Sequence, residues 1–235
     1  IPQKDDFFCL LTDVINVLQN EDVFYRPKNS KGFAGSVICF SDNLPTIILP
    51  DLHARYFFLL KVLDFCYNEV KVIDLLKDSK IRIICLGDAL HSEIRGKERW
   101  IKALYQYENG NEQNEYMLEE MSEGLSTVYL IMALKKFFPN NFHFLKGNHE
   151  NIFNEDFLGN HSFRKFVYEG QMTLDFMLSY FGFEFTEIYS KFEKLLPLFV
   201  KDTRFLASHA EPLKFYKLSK LIDASLDGNV IEHLT

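Results

Sequence analysis

The chain has 235 residues, close to the upper limit of what one hydrophobic core supports, and it carries a net charge of −7 with 47% hydrophobic and 25% charged residues. That acidic balance argues against nucleic acid or an anionic membrane as the main partner, and no apolar stretch approaches the roughly 20 residues needed to span a bilayer. An acidic protein can still bind phosphate where metal ions supply positive charge locally.

The 24 phenylalanines and single tryptophan predict a Phe-packed core. Four cysteines (Cys9, Cys39, Cys66 and Cys85) are widely spaced with no CxxC pair, which predicts buried, reduced thiols and a cytoplasmic protein. The start IPQKDDFF has early acids and no signal-peptide n-region. It also has no initiator Met, so a trimmed chain or a fragment is expected.

Apolar residues at Phe7, Leu10, Leu11, Val14, Ile15 and Leu18 have helical spacing and predict a helix over 5–20. The short apolar runs 36–42 and 46–51 read as strands, and 55–76 returns to a helical pattern. IRIICLGD at 81–88 is almost wholly apolar and ends in Gly-Asp, as a strand covered on both faces would. Residues 97–138 read as a helical insert with a polar break at 109–111. FHFLKGNHE at 142–150 is a strand entering a polar loop. Residues 161–195 read as helical with breaks at Gly170 and Gly182, and 196–200 and 204–211 as two closing strands. With no repeat, linker or low-complexity tract, one α/β domain over 1–235 is expected.

Acids, amides and imidazoles gather where these strands end: Asp51-Leu52-His53, Gly87-Asp88, Gly147-Asn148-His149-Glu150 and Ser208-His209. In layered α/β folds, sites form outside the carboxyl ends of the strands. Asp51 and His53 point the same way if their segment is extended, since positions i and i+2 share a face. Taken singly, each has a plainer reading: a turn for Gly-Asp, a satisfied loop residue for a lone His, a cap for Asn148. The ordered set DxH, GD, GNHE and H is what points to chemistry. Hydrolysis of a phosphoester needs a nucleophilic water and neutralisation of phosphoryl charge, which two divalent ions supply together. A carboxylate has two oxygens with which to bridge them, and Asp88 is the candidate. Imidazole with carboxylate suits Zn, Fe or Mn rather than Ca.

Over residues 46–211 this set resembles the calcineurin-like metallophosphoesterase superfamily, in the GNHE form typical of its Ser/Thr phosphoprotein phosphatase branch. The resemblance implies an α/β fold built as a four-layer double β-sheet sandwich flanked by helices. It implies two divalent metal ions (Mn, Fe or Zn), with Asp51 and His53 on the first, Asp88 as bridge, and Asn148 and His209 on the second. It further implies that His149 is the acid that protonates the leaving oxygen or steadies the phosphate. Three departures stand out. Pro50 and Ala54 occupy positions where the family has Gly before Asp and Gly after His. The family's GDxxDRG is here Gly87-Asp88-Ala89-Leu90-His91-Ser92-Glu93, without the Asp-Arg pair. Its HGG is His209-Ala210-Glu211.

The family's last metal-binding His comes from a downstream loop. Only His233 follows His209, in a stretch that reads as helical, so that ligand is expected beyond Thr235 and the chain to be truncated at its C-terminus. For the missing phosphate-gripping Arg, the substitutes are Arg55, Arg95, Arg99 and Arg164, Arg being suited to bidentate phosphate contact. His91 is a further candidate, at the substrate or beside His149, and a plain loop residue is the competing reading. His143 and His161 read as structural, and Glu119, Glu120 and Glu123 as a solvated helix face. The expected activity is hydrolysis of a phosphomonoester on a protein or small molecule. The rival readings are a nucleotide or dinucleotide-polyphosphate hydrolase and a metal-poor scaffold that binds partners.

Overall fold

The computed structural model describes residues 1–155 and 162–235, so the structural role expected of His161 lies outside the described residues. Within them the fold is mixed α/β. Strands β1 (Val37–Cys39), β2 (Thr46–Leu49), β5 (Arg82–Cys85), β6 (Phe142–Phe144), β7 (Phe199–Lys201) and β8 (Leu206–Ser208) form two three-stranded sheets. One sheet is all parallel in the order β2-β5-β6. The other has the order β1-β7-β8, with β1 parallel and β8 antiparallel to β7.

Side chains alternate across each strand, and three apolar clusters result. In β5, Ile83 and Cys85 join the large helical core, while Ile84 joins a small cluster with Ile38, Phe40, Leu145 and Val200, which draws on both sheets. In β1, Val37 turns the other way, to a third cluster with Phe199, Leu221, Val230, Ile231 and Leu234. The strand β5 is thus apolar on both faces, as its sequence required.

Helix α1 (Lys4–Gln19) buries Phe7, Leu10, Leu11, Val14, Ile15 and Leu18, the stripe read from spacing. Phe7 meets Tyr129, Phe181 and Phe185 edge-on at centroid distances of 5.6, 6.0 and 5.1 Å, an arrangement that aromatic quadrupoles favour. The insert comprises α4 (Glu93–Glu108) and α5 (Glu115–Phe137). Asn114 caps α5, its Oδ1 accepting from the Tyr116 and Met117 amides at 3.1 and 3.0 Å. No helix among the described residues is long and apolar enough to cross a membrane.

Four expectations need correction. The helix expected over 55–76 is broken into α2 (Tyr56–Asp64), a hairpin of β3 (Cys66–Tyr67) and β4 (Val70–Lys71), and α3 (Val72–Lys77). Asn68 and Glu69 are both left-handed (φ 49° and 67°), which a two-residue hairpin turn demands and a periodicity count does not detect. Gly170 does not break a helix but lies inside α6 (Glu169–Tyr180), where a Cβ would come within 2.6 Å of Asn154 Oδ1 and 3.0 Å of the Phe163 amide. Glu120 is not solvated: it is 1% exposed and binds the Ser92 amide and Arg99. All four cysteines are free, but Cys9 and Cys66 are exposed.

A candidate metal centre at the strand ends

Because β2, β5 and β6 run parallel, the loops after them leave from one edge of their sheet. Those loops are tied together by backbone. The amides of His53 and Ala54 donate to the carbonyls of Asp88 and Ala89 at 2.7 and 2.9 Å. Glu150 clamps the second loop to the third: Oε2 accepts from the Asp88 and Gly147 amides at 2.9 and 2.7 Å, and Oε1 from Ala89 at 2.9 Å. Gly147 is required by close approach, since a Cβ there would lie 2.2 Å from Asp88 Oδ1.

On this frame the structure brings together Asp51, His53, Asp88, Asn148 and His209, the five residues singled out as metal ligands. Asp88 Oδ2 lies 3.6 Å from His209 Nε2, 3.6 Å from His149 Nε2 and 3.9 Å from His53 Nε2. His209 Nε2 is 3.1 Å from Asn148 Oδ1, and its Nδ1 is 3.3 Å from Asp51 Oδ1. His53 Nε2 is 4.0 Å from Asp51 Oδ2. Left-handed backbone is concentrated here, at His53 (φ 43°), Ala54 (58°), Asp88 (52°), His91 (62°) and Glu93 (49°). Such conformations cost roughly 1–3 kcal/mol each and cluster at functional sites. Ala54 in a left-handed turn also gives the reason that a glycine suits that position.

The electrostatics are those of a site short of positive charge. Burial and the neighbouring Glu150 push the Asp88 carboxyl up to about 8. Hydrogen bonding to His209 holds Asp51 below the usual carboxylate range. Burial pulls the His209 imidazole down, but Asp51 and Asp88 outweigh it and raise it to about 9.

Whether this donor set fits a metal can be tested on His53. It is 7% exposed, and its buried Nδ1 has no hydrogen-bond partner. Its Nε2 faces carboxylates at 3.6 to 4.0 Å, too far for hydrogen bonds. Two donors that each lie about 2.0–2.2 Å from one ion are at most about 4.4 Å apart. All the separations quoted above meet that limit, and the mix of imidazole, carboxylate and amide suits a first-row divalent ion. The donors fit.

Beside this cluster His149 and His91 form a buried pair, Nδ1 to Nδ1 at 2.9 Å, and His91 Nε2 lies 3.0 Å from Thr173 Oγ1. Burial holds both imidazoles well below the ordinary histidine range, His91 at about 3. The Phe163 ring covers them, with centroids 3.6 Å from His149 and 4.9 Å from His91.

Of the residues expected at the substrate, Arg55 is exposed at the start of α2, directly after the first ligand pair. Arg95 bonds Glu123 at 2.6 Å and the Ala54 carbonyl at 3.3 Å. Arg164 is exposed, with its guanidinium 4.4 Å over the Tyr168 ring. His91 is 3% exposed and stands behind His149, one of the readings given to it. Arg99 is neutralised by Glu119, Glu120 and Glu123, with its side chain 12% exposed. His233 bonds Tyr216 through Nδ1 at the end of the short helix Gly228–Glu232. His143 is a core histidine, its Nε2 3.1 Å from the Asn140 carbonyl.

Sequence reasoning gave Glu150 and Glu93 no role. Glu150 sits inside GNHE, so the signal was present. Glu93 Oε2 lies 3.6 Å from His53 Nε2, and nothing in the sequence marked it.

No family model matches this sequence, and no curated protein matches it. Among solved structures the chain is similar to one described as the structure of protein serine/threonine phosphatase from Saccharomyces cerevisiae with similarity to human phosphatase PP5, at 15% identity and a TM-score of 0.55. The match covers 99% of this chain and 58% of that chain. At that identity the likeness establishes the fold.

Proposed function

We propose that this protein is a metal-dependent phosphoesterase acting on phosphomonoesters, a phosphorylated protein side chain foremost. The observation that carries the reading is the placement of Asp88 Oδ2 within 3.6–3.9 Å of three imidazole Nε2 atoms. One carboxylate oxygen at the meeting point of His53, His149 and His209 is suited to a bridge. Asp51 and His53 would hold one ion, and Asn148 and His209 the second. When bound, two divalent ions supply a water of lowered pKa and neutralise the phosphoryl oxygens.

The chain's own groups do the rest. His149 presents Nε2 to the site, and His91 fixes the ring through Nδ1, so the neutral ring carries its proton on Nε2 and steadies the phosphate with a hydrogen bond from that N–H. Glu150 keeps the Asp88 and Gly147 loops from separating. Arg55, Arg95 and Arg164 are the candidates for gripping phosphate, and Arg55 has the freest access. The three apolar clusters support reading the fold as one domain layered helices, sheet, sheet, helices. The four free thiols suit a cytoplasmic location.

The test is hydrolysis of p-nitrophenyl phosphate and of phosphoserine or phosphothreonine peptides, with Mn²⁺, Fe²⁺ or Zn²⁺ added to chelator-treated protein. Metal-dependent release of phosphate is expected. Absence of hydrolysis with every metal, alongside absence of metal binding, would leave the scaffold reading standing. Preference for diadenosine tetraphosphate would move the substrate to dinucleotide polyphosphates.

A further inference from the structure

We propose that Glu93 is a fourth protein ligand of the ion held by Asp51 and His53, an inference that rests on the dinuclear reading above. Asp51, His53 and the Asp88 bridge give that ion three side-chain donors. Structural and catalytic zinc sites take three or four protein donors, and a carboxylate is an ordinary one.

Three observations converge on Glu93. Its Oε2 is 3.6 Å from His53 Nε2, closer than either Asp51 at 4.0 Å or Asp88 at 3.9 Å. Ligand atoms of His53, Glu93 and His149 all lie within 4.8 Å of one another, as do those of Asp51, His53 and Asp88, and His53 is the member the two groups share. The nitrogen it approaches belongs to a ring that is 7% exposed and whose other nitrogen has no partner.

The carboxylate is also positioned. Lys165 Nζ binds Oε1 and leaves Oε2 toward the site, as outer partners of metal-ligating carboxylates do. Glu93 opens α4 in the left-handed region, at φ 49°. A glycine would hold that conformation at lower cost. The backbone penalty therefore accompanies a carboxylate aimed at His53.

The test uses the 235-residue chain, freed of metal and titrated with Mn²⁺ by calorimetry, with Co²⁺ absorption as a second readout. Wild type should take up two ions. Glu93→Gln, which keeps shape and removes charge, should retain one site unchanged, weaken the other at least about 10-fold and alter the Co²⁺ visible bands. Asp88→Asn should weaken both sites. Glu93→Gly should weaken the same single site while its metal-free melting temperature holds or rises by about 2–4 °C. Two unchanged sites in Glu93→Gln overturn the role of Glu93 and leave the dinuclear reading intact. A Glu93→Gly variant that melts well below wild type makes the residue structural and also overturns it. Wild-type protein that binds neither ion overturns both readings together.

Discussion

His91 and His149 face each other through Nδ1 atoms 2.9 Å apart. Burial keeps both rings neutral, so a single proton lies between these nitrogens, and Thr173 completes the chain from His91 Nε2 at 3.0 Å. This arrangement makes His91 a positioning residue for His149. We expect His149→Asn to retain metal and lose about 10²–10³ in kcat, the usual worth of a positioned hydrogen-bond donor. His91→Ala should lower kcat less, and the double variant should be no slower than His149→Asn alone. If His149→Asn lost metal as fully as Asp88→Asn, the assignment of His149 to the phosphate and not to the metal would fail.

Asp88 governs how the metal-free protein responds to pH. Its carboxyl is raised to about 8 by burial and Glu150, so the folded state holds a proton that the unfolded chain releases near its ordinary value. The buried neutral histidines oppose this below about pH 6.5, so stability in chelator should decline as pH rises from about 6.5 toward 8. Saturating Mn²⁺ should reverse the decline, because a cation neutralises the ionised carboxylate. Asp88→Asn should make the decline shallower and weaken the metal effect. Melting temperatures at pH 6.5 and 8, with chelator and with Mn²⁺, check both points, and a wild-type profile that is flat over that range in chelator would contradict the account.

Gly147→Ala should strike the centre without touching a ligand. The new Cβ would stand 2.2 Å from Asp88 Oδ1 and 2.9 Å from the Asp88 amide, so the two loops must separate. Overpacking of this kind costs about 1–3 kcal/mol, and displacement of the bridge should weaken Mn²⁺ binding at least about 10-fold. Calorimetry showing wild-type affinity would mean that the loops yield without moving Asp88.

Far from the site, Glu21 predicts the acid limit. Lys135 Nζ lies 2.5 Å from Glu21 Oε1, and Arg26 binds Oε2. Burial works against the carboxylate, but Lys135 and Arg26 outweigh it and hold it at about 2, down from 4.5. The stability it contributes is complete above about pH 4.5 and is lost as pH falls toward 2, amounting to at most about 3 kcal/mol. Burial pulls the Lys135 ammonium below its ordinary range, which reduces the net worth of the pair. Glu21→Gln should cost about 3–5 kcal/mol at neutral pH by leaving two buried cations unpaired. Urea unfolding at pH 7 and pH 3 measures both, and a variant as stable as wild type at pH 7 would refute it.

The sequence by itself determined the elements that obey a period. The α1 stripe from Phe7 to Leu18 and the two-faced burial of β5 follow from 3.6-residue and 2-residue repetition. It also placed Asp51, Asp88, Asn148 and His209 at strand ends, because a strand that stops at a polar turn is visible in one dimension. Tertiary structure decided the partners. Glu150 reaches Asp88 across 62 positions, His91 reaches Thr173 across 82, and Glu120 reaches Ser92 across 28. Glu93 meets His53 because α4 starts in a left-handed turn that points its carboxylate back across the loop. Periodicity records which face of an element is apolar. A polar contact depends on where two loops cross, and only the packed sheets and helices fix that.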